Sequence, residues 1–366
     1  MYSRFLLLPA AILFLSTLLV SDECSAQIRQ PLVSPYATVS EEVGLTDITI
    51  KYARPAVKSR KIWGGLVPYG LTKALTNFGN GKDHPWRAGA NRNTTITFEH
   101  DVLVEGEKLP AGTYGLSMIP GEQNWTIVFN KDATLWGDFF YEESEDALRV
   151  TVTPEKAPFR ERLTYEFSDE DGNGGLTIAL LWEELKVPFR VQVENYQHVV
   201  LASMEDELFY RGGFQSQDYA AIANYSLNNN VDLDVGMKWA DRAIAANKTF
   251  LTQSLKGRFL MKEGKLEEAD AFMAPLIENS TENELNFYGY QLMGMGLIQK
   301  AKETFELNIK RHPDSWNPYD SLAECLKNLG DNANATKYYW MALDRLPAND
   351  QVNRDRIKQV LEDIDV

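Results

Sequence analysis

The sequence predicts two domains of different class, an N-terminal all-β sandwich or jelly roll and a C-terminal all-α helical repeat. Two observations predict it. From Asp47 to about Asn195 apolar and polar residues alternate, the two-residue period of half-buried strands. After Tyr196 apolar residues recur every three or four positions in runs punctuated by Gly and Pro, the period of helices. A length of 366 residues agrees with about two domains, and 44% hydrophobic residues against 24% charged describe ordinary globular chain.

In the first half the strand period is carried by Ile48, Ile50 and Tyr52 and again by Ile96 and Phe98. Glu105-Gly106 follows Val102-Leu103-Val104 as a turn, and Leu109-Pro110-Ala111-Gly112 leads into a strand over residues 113–119 that stops at Pro120-Gly121. Further strands are expected over 125–129, 147–153, 163–168, 176–182 and 187–194. Many short strands with one apolar face each are buried by stacking two sheets, hence the sandwich.

In the second half a shift of 34 residues maps Gly296 onto Gly330, Ala301 onto Ala335, Phe305 onto Tyr339, Asn308 onto Ala342 and Pro313 onto Pro347. Small residues let two helices approach, an aromatic fills the space between pairs, and proline stops the second helix. This pattern resembles the tetratricopeptide repeat. An earlier copy runs through Gly264, Ala269, Met273 and Leu276, and a more degenerate one includes Gly236, Ala240 and Ala243. The first-helix signature is worn, with only Leu292 and Leu326 at equivalent apolar sites. Stacked repeats imply a concave face for a protein or peptide partner, and Tyr288, Tyr290, Gln291, Trp316, Tyr319 and Lys327 are the candidate contacts.

Several motifs of the first half occur together: residues 30–35 (Gln-Pro-Leu-Val-Ser-Pro), 43–50, Arg54-Pro55, residues 60–64 (Arg-Lys-Ile-Trp-Gly), 66–70 (Leu-Val-Pro-Tyr-Gly), 86–91 (Trp-Arg-Ala-Gly-Ala-Asn), 109–116, Trp182-Glu183 and 187–189. In combination they resemble family 2911 of the domains of unknown function over roughly residues 28–195. The resemblance implies an exported, envelope-associated β-rich domain, sometimes followed by helical repeats, with no established activity. The family runs almost directly from Pro-Tyr-Gly to Trp-Arg, whereas here residues 71–85 intervene, and that insertion is expected to be a surface loop able to cover or lengthen a groove near Trp86.

Arg4 ahead of an apolar run, then small residues ending at Ala26, predict a cleaved signal peptide over residues 1–26. The run is shorter than the roughly 20 residues that span a bilayer, so no transmembrane segment is expected after cleavage. The expected domains are 27–197 and 198–366, in a periplasmic or secreted protein. Cys325 is then the sole cysteine, expected as a small buried helix residue. A net charge of -15 argues against nucleic-acid binding.

No catalytic motif is present, and the expectation leans away from an enzyme. The four histidines, His84, His100, His198 and His312, show no zinc-ligand spacing, and His84 and His100 are expected to be solvated in loops. No Gly-x-Ser-x-Gly occurs, and Gly79 to Gly81 lacks the Lys-Ser or Lys-Thr of a phosphate loop. Asp169, Asp171 and Asn173 alternate ahead of Gly174 like the first half of a calcium loop, but Leu180 stands where the closing Glu belongs. An acidic hairpin turn is favoured over a weak calcium site, and no cofactor is otherwise expected.

The ligand-binding candidates are Arg54, Arg60, Trp63, Trp86, Arg87 and Asn91, with Lys61 beside them, because indoles supply flat apolar platforms and guanidinia bidentate forks for a sugar, peptide or carboxylate. The competing reading packs both indoles into the core and ties Arg87 to carbonyls or to Glu183. The leading expectation is therefore a noncatalytic binding adaptor. The alternative is a carbohydrate-active or other hydrolase in which Trp86 and Arg87 position substrate for an acidic base.

Overall fold

Strand period becomes strand structure throughout the first half. The computed structural model describes residues 30–75, 78–211 and 213–364, and the expected signal peptide lies outside them. One six-stranded antiparallel sheet has the order β1-β2-β3-β6-β7-β8, comprising β1 (Tyr36–Val43), β2 (Thr46–Ala53), β3 (Thr95–Phe98), β6 (Gly112–Ile119), β7 (Trp125–Asn130) and β8 (Asp146–Val152). A four-stranded sheet has the order β5-β4-β10-β9, with β4 (Val102–Val104), β5 (Glu107–Leu109), β9 (Glu155–Ser168) and β10 (Gly175–Val193). Ile48, Ile50, Ile96 and Phe98 from the first sheet meet Leu163, Ile178, Val187 and Phe189 from the second in one buried core, as two apolar faces require.

Three strand expectations change. β1 pairs with β2 along its whole length ahead of the expected start at Asp47; its run of Ser40, Glu41 and Glu42 masks the alternation because it is an exposed edge strand. β9 begins at Glu155, well before Leu163. The expected strands over 176–182 and 187–194 are one strand, β10, whose register with β9 shifts on both sides of Glu183, at φ 56. A bulge there bends the strand without ending it.

The second half consists of α1 (Tyr196–Arg211), α2 (Ser216–Asn229), α3 (Leu233–Ala246), α4 (Phe250–Lys262), α5 (Leu266–Glu278), α6 (Glu282–Gly294), α7 (Ile298–Arg311), α8 (Asn317–Asn328), α9 (Asn332–Arg345) and α10 (Gln351–Ile364). They stack as tetratricopeptide-like hairpins: α2 with α3, α4 with α5, α6 with α7, and α8 with α9. The period is written in the hydrogen bonds, since Trp239 to Glu205, Arg258 to Asn224, Tyr290 to Glu324 and Arg311 to the Ile277 carbonyl each join residues 34 apart. The chain turns within the last three hairpins at Gly264, Gly296 and Gly330, all with φ between 75 and 80, a conformation natural only to glycine. Asn230 takes the same left-handed role in the first.

Each second helix drives a large side chain, Trp239, Met273, Phe305 or Tyr339, toward its neighbours. Room for them comes from Ala223, Gly257, Gly289 and Ala323 on the first helices. A Cβ on Gly289 would collide with the Phe305 ring, and one on Gly257 would lie 2.7 Å from the Met273 sulfur. Cys325 is buried here, as expected, and burial pushes its thiol up to about 11, which keeps it unreactive.

Helix α1 joins the two cores. The Tyr196 ring fills the space beside Gly44 and Gly174, 2.5 Å from where a Cβ on either would stand, and Val199 packs on the sandwich, whereas Leu201 and Leu208 belong to the first helical core. No helix among the described residues is long and apolar enough to cross a membrane.

Candidate functional site

The first candidate is a cleft of about 360 Å³ at one end of the sandwich. Its walls come from three irregular segments that the sheets hold in place. Residues 55–68 are anchored by the Val57 N–H donating to the Glu161 carbonyl and by the Trp63–Val67 bridge. Residues 85–91 lie along β6 through two Trp86–Met118 backbone bonds, both 2.8 Å. Ala88 holds φ 46 there, with its carbonyl accepting from Thr94 Oγ1 and Tyr165 Oη; such strain persists only where surroundings impose it.

The third wall is the insertion, a largely exposed loop that lengthens the groove beside Trp86 and is tied down at several points. Thr72 and His84 exchange both backbone hydrogen bonds, Asn80 donates to the Tyr141 carbonyl, and Phe78 packs on Phe139 at 4.8 Å. His84, expected in solvent, is 5% exposed. Its ring sits 5.3 Å from that of Phe139 and its Nδ1 bonds the Pro85 carbonyl, so Thr72, His84 and Pro85 become part of the cleft.

Of the six candidate residues, Arg60, Trp86, Arg87 and Asn91 line this cleft. Arg54 turns away to the Leu163 carbonyl and the Thr164 hydroxyl. Trp63 lies beneath, edge-on to Trp125, Trp182 and Trp86 at 4.9, 5.7 and 5.8 Å, while Trp86 stacks on Trp182 at 6.0 Å. Both Trp63 and Trp86 are half-buried against the core. Lys61 is exposed and does not line the cleft.

Arg87 is held by the Asn91 carbonyl at 2.8 Å and by the Phe139 ring, 4.8 Å from its Cζ; Gly137 makes the approach possible, since a Cβ there would stand 2.7 Å from Nη1. Its acidic neighbour is Asp138 rather than Glu183, which sits at the β10 bulge. Asp138 is 2% exposed and accepts from Ser117 Oγ, and burial lifts its carboxyl to about 7 against the opposing pull of Arg87 and Ser117. Asp138 carries no local signal in the sequence, because only the fold brings the 132–141 loop to Arg87, and His84 is visible only as a histidine of the insertion, expected in solvent.

The second candidate is a groove along α2, α4 and α6, two adjoining clefts of about 840 and 390 Å³ that share Arg258. Exposed Phe214, Leu251 and Phe287 rim the larger one. Arg258, 4% exposed, donates to Asn224 Oδ1 at 2.9 Å and Asn228 Oδ1 at 3.0 Å, its Nε has no partner among the described residues, and burial pulls the guanidinium down to about 10. A buried cation held only by amides is one short of a counter-ion.

Among the expected partner contacts, Tyr290 and Gln291 lie in the smaller cleft, Tyr290 bonded to Glu324 at 2.7 Å. Tyr288 and Tyr319 are buried, Trp316 packs on the core, and Lys327 is exposed outside both clefts. Arg258, Asn224, Asn228 and Lys262 were missed; continuing the 34-residue register into the worn first copies pairs Asn224 with Arg258 and Asn228 with Lys262. In the acidic turn, Asp169 accepts from Ser168, while Asp171 binds Arg190 and the Asn173 and Gly175 amides, which hold its carboxyl below the ordinary range. Among the described residues no group of three or more His, Cys, Asp or Glu is placed to hold a metal ion.

These features define a β-sandwich with an end cleft joined to a tetratricopeptide-like array with a groove. Residues 34–191 match the family model described as "Protein of unknown function (DUF2911)". No curated protein matches. Solved structures similar to the chain include MamA (14% identity, TM-score 0.27, 42% of this chain and 90% of that one) and YrrB, titled a TPR protein with an unusual peptide-binding site (13%, 0.24, 40% and 76%). The Cut9–Hcn1 complex of APC/C is similar at 17% identity with a TM-score of 0.28; the match covers 39% of this chain and spans only 28% of that one.

Proposed function

We propose that the protein is an exported, noncatalytic binding adaptor whose helical groove seats an extended segment of a protein partner, apolar side chains on the rim and a carboxylate toward Arg258. One observation carries this reading: three large apolar side chains stand exposed around a groove in which a buried guanidinium has no acidic partner among the described residues. Exposed apolar groups clustered on a concave repeat surface mark a place where another chain buries them. The β half adds a second, small-molecule site at its end cleft. In that half Ser117 is bonded to the Asp138 carboxylate, but both are 2% exposed, so the pair has no open face for a substrate, which favours binding over hydrolysis.

Selection of a random peptide library on the full chain tests the groove. The selected peptides are expected to carry Asp, Glu or a free C-terminal carboxylate beside apolar residues. Arg258→Gln and Leu251→Asp should each weaken them about tenfold or more. Peptides that bind both variants as well as the parent chain would refute the groove as the partner site.

A further inference from the structure

We propose that the end cleft of the sandwich binds a small organic anion, with its carboxylate or phosphate at Arg60, Arg87 and Lys58 and its apolar body against Trp86. The inference rests on reading the cleft as a ligand site and adds the class of ligand. In a chain of net charge -15, the residues lining this cleft include Lys58, Arg60, Arg87 and His84 and not one Asp or Glu. A concave, low-dielectric wall of one sign focuses its field on an incoming counter-charge. Two acids close to this lining are already engaged, Glu161 accepting the Lys58 backbone N–H and Asp138 buried with Ser117 behind Arg87.

The cations are positioned but not satisfied. Arg60 gives Nε and Nη2 to the Val57 and Ala56 carbonyls, and Arg87 gives Nη1 to the Asn91 carbonyl, so each guanidinium is fixed by neutral acceptors. Arg60 Nη1 and Arg87 Nη2 make no hydrogen bond with any described residue, and none of the three cations is in an ion pair with one. Fixed guanidinia with free N–H groups are pre-organised for an oxyanion. Two buried lining residues carry further unspent polar atoms, Trp182 Nε1 and His84 Nε2, neither with a partner among the described residues. Buried donors and acceptors left without partners are costly, and a polar ligand at this cleft can supply them.

The remaining lining sets the body of the ligand. Pro55, Leu66, Val67, Pro68 and Pro85 are apolar, and Trp86 offers a half-buried indole face. The volume of about 360 Å³ falls within the roughly 300–1,000 Å³ of small-molecule sites. A free sugar would bring many hydroxyls to walls with few polar partners, whereas an anionic head on an apolar body meets both parts of the lining.

The test is titration of the full chain with 4-phenylbutyrate, phenyl phosphate, the uncharged 4-phenylbutyramide and maltotriose, followed by calorimetry and by the fluorescence of the buried tryptophans. At least one acid should bind, with the amide and the sugar about tenfold weaker or worse. The exposed Arg60→Gln and the half-buried Arg87→Gln should each weaken the acid by about tenfold, with folding checked by thermal melting. Preference between the two acids assigns the head group as carboxylate or phosphate. Equal binding of acid and amide, tighter binding of maltotriose, or acid binding unchanged in Arg60→Gln would overturn the anion class. Absence of binding by all four probes at about 10 mM would overturn the ligand site itself.

Discussion

Phe305→Ala is expected to destabilise the helical half by about 3–5 kcal/mol, the cost of emptying a fully buried aromatic site that its surroundings cannot close. Phe305 fills the space left by Gly289 on the preceding helix and meets Tyr290 edge-on at 5.3 Å. Collapse onto the cavity would require α6 and α7 to move together, and each is also packed in the stack, α7 against α8. Thermal melting followed by far-ultraviolet circular dichroism should show the helical transition moved down in temperature. A loss below about 1 kcal/mol would mean that the aromatic is not the wedge between hairpins. Gly289→Val should be damaging by the opposite route, overpacking the same contact.

Asp138→Asn should stabilise the protein above neutral pH and do little in acid. The folded carboxyl titrates at about 7 instead of the ordinary 3.8, so between those values the folded state binds the proton more tightly than the unfolded one. Stability therefore falls as pH rises through that window, and above about pH 7 the full cost of the buried anion, about 4 kcal/mol, is present. Asparagine keeps an acceptor for Ser117 and removes the charge. Melting curves at about pH 5 and about pH 8 should converge in acid and separate in base, with the variant higher. A variant that melts lower than the parent chain at alkaline pH would show that the Asp138 anion is needed to hold Arg87.

Much of this architecture was legible because it rests on local periods. Alternation marked Ile48–Ile50–Tyr52 and Ile96–Phe98, and the echo from Phe305 to Tyr339 marked the repeat. The failures have equally local causes. β1 is an exposed edge strand, so Ser40, Glu41 and Glu42 break the alternation, and the Glu183 bulge makes one bent strand look like two. The candidate sites were half visible. Trp86, Arg87 and Asn91 stand close in sequence, with His84 just ahead of them, but Arg60 and Trp182 reach the cleft from separate segments and Asp138 reaches the back of Arg87 from another, and no one-dimensional pattern joins them. In the groove, Arg258 hides within the run from Phe250 to Lys262 because its helix buries nearly every side, which erases the amphipathic contrast that sets a functional cation apart.

The most direct measurement is nitrogen-15 NMR of the Arg258 guanidinium in the full chain, before and after adding a library-selected acidic peptide and the same peptide with its carboxylates converted to amides. The account predicts that the acidic peptide shifts and slows the exchange of the Arg258 signals while the amide form leaves them in place. A bound acidic peptide that leaves Arg258 unperturbed would contradict it.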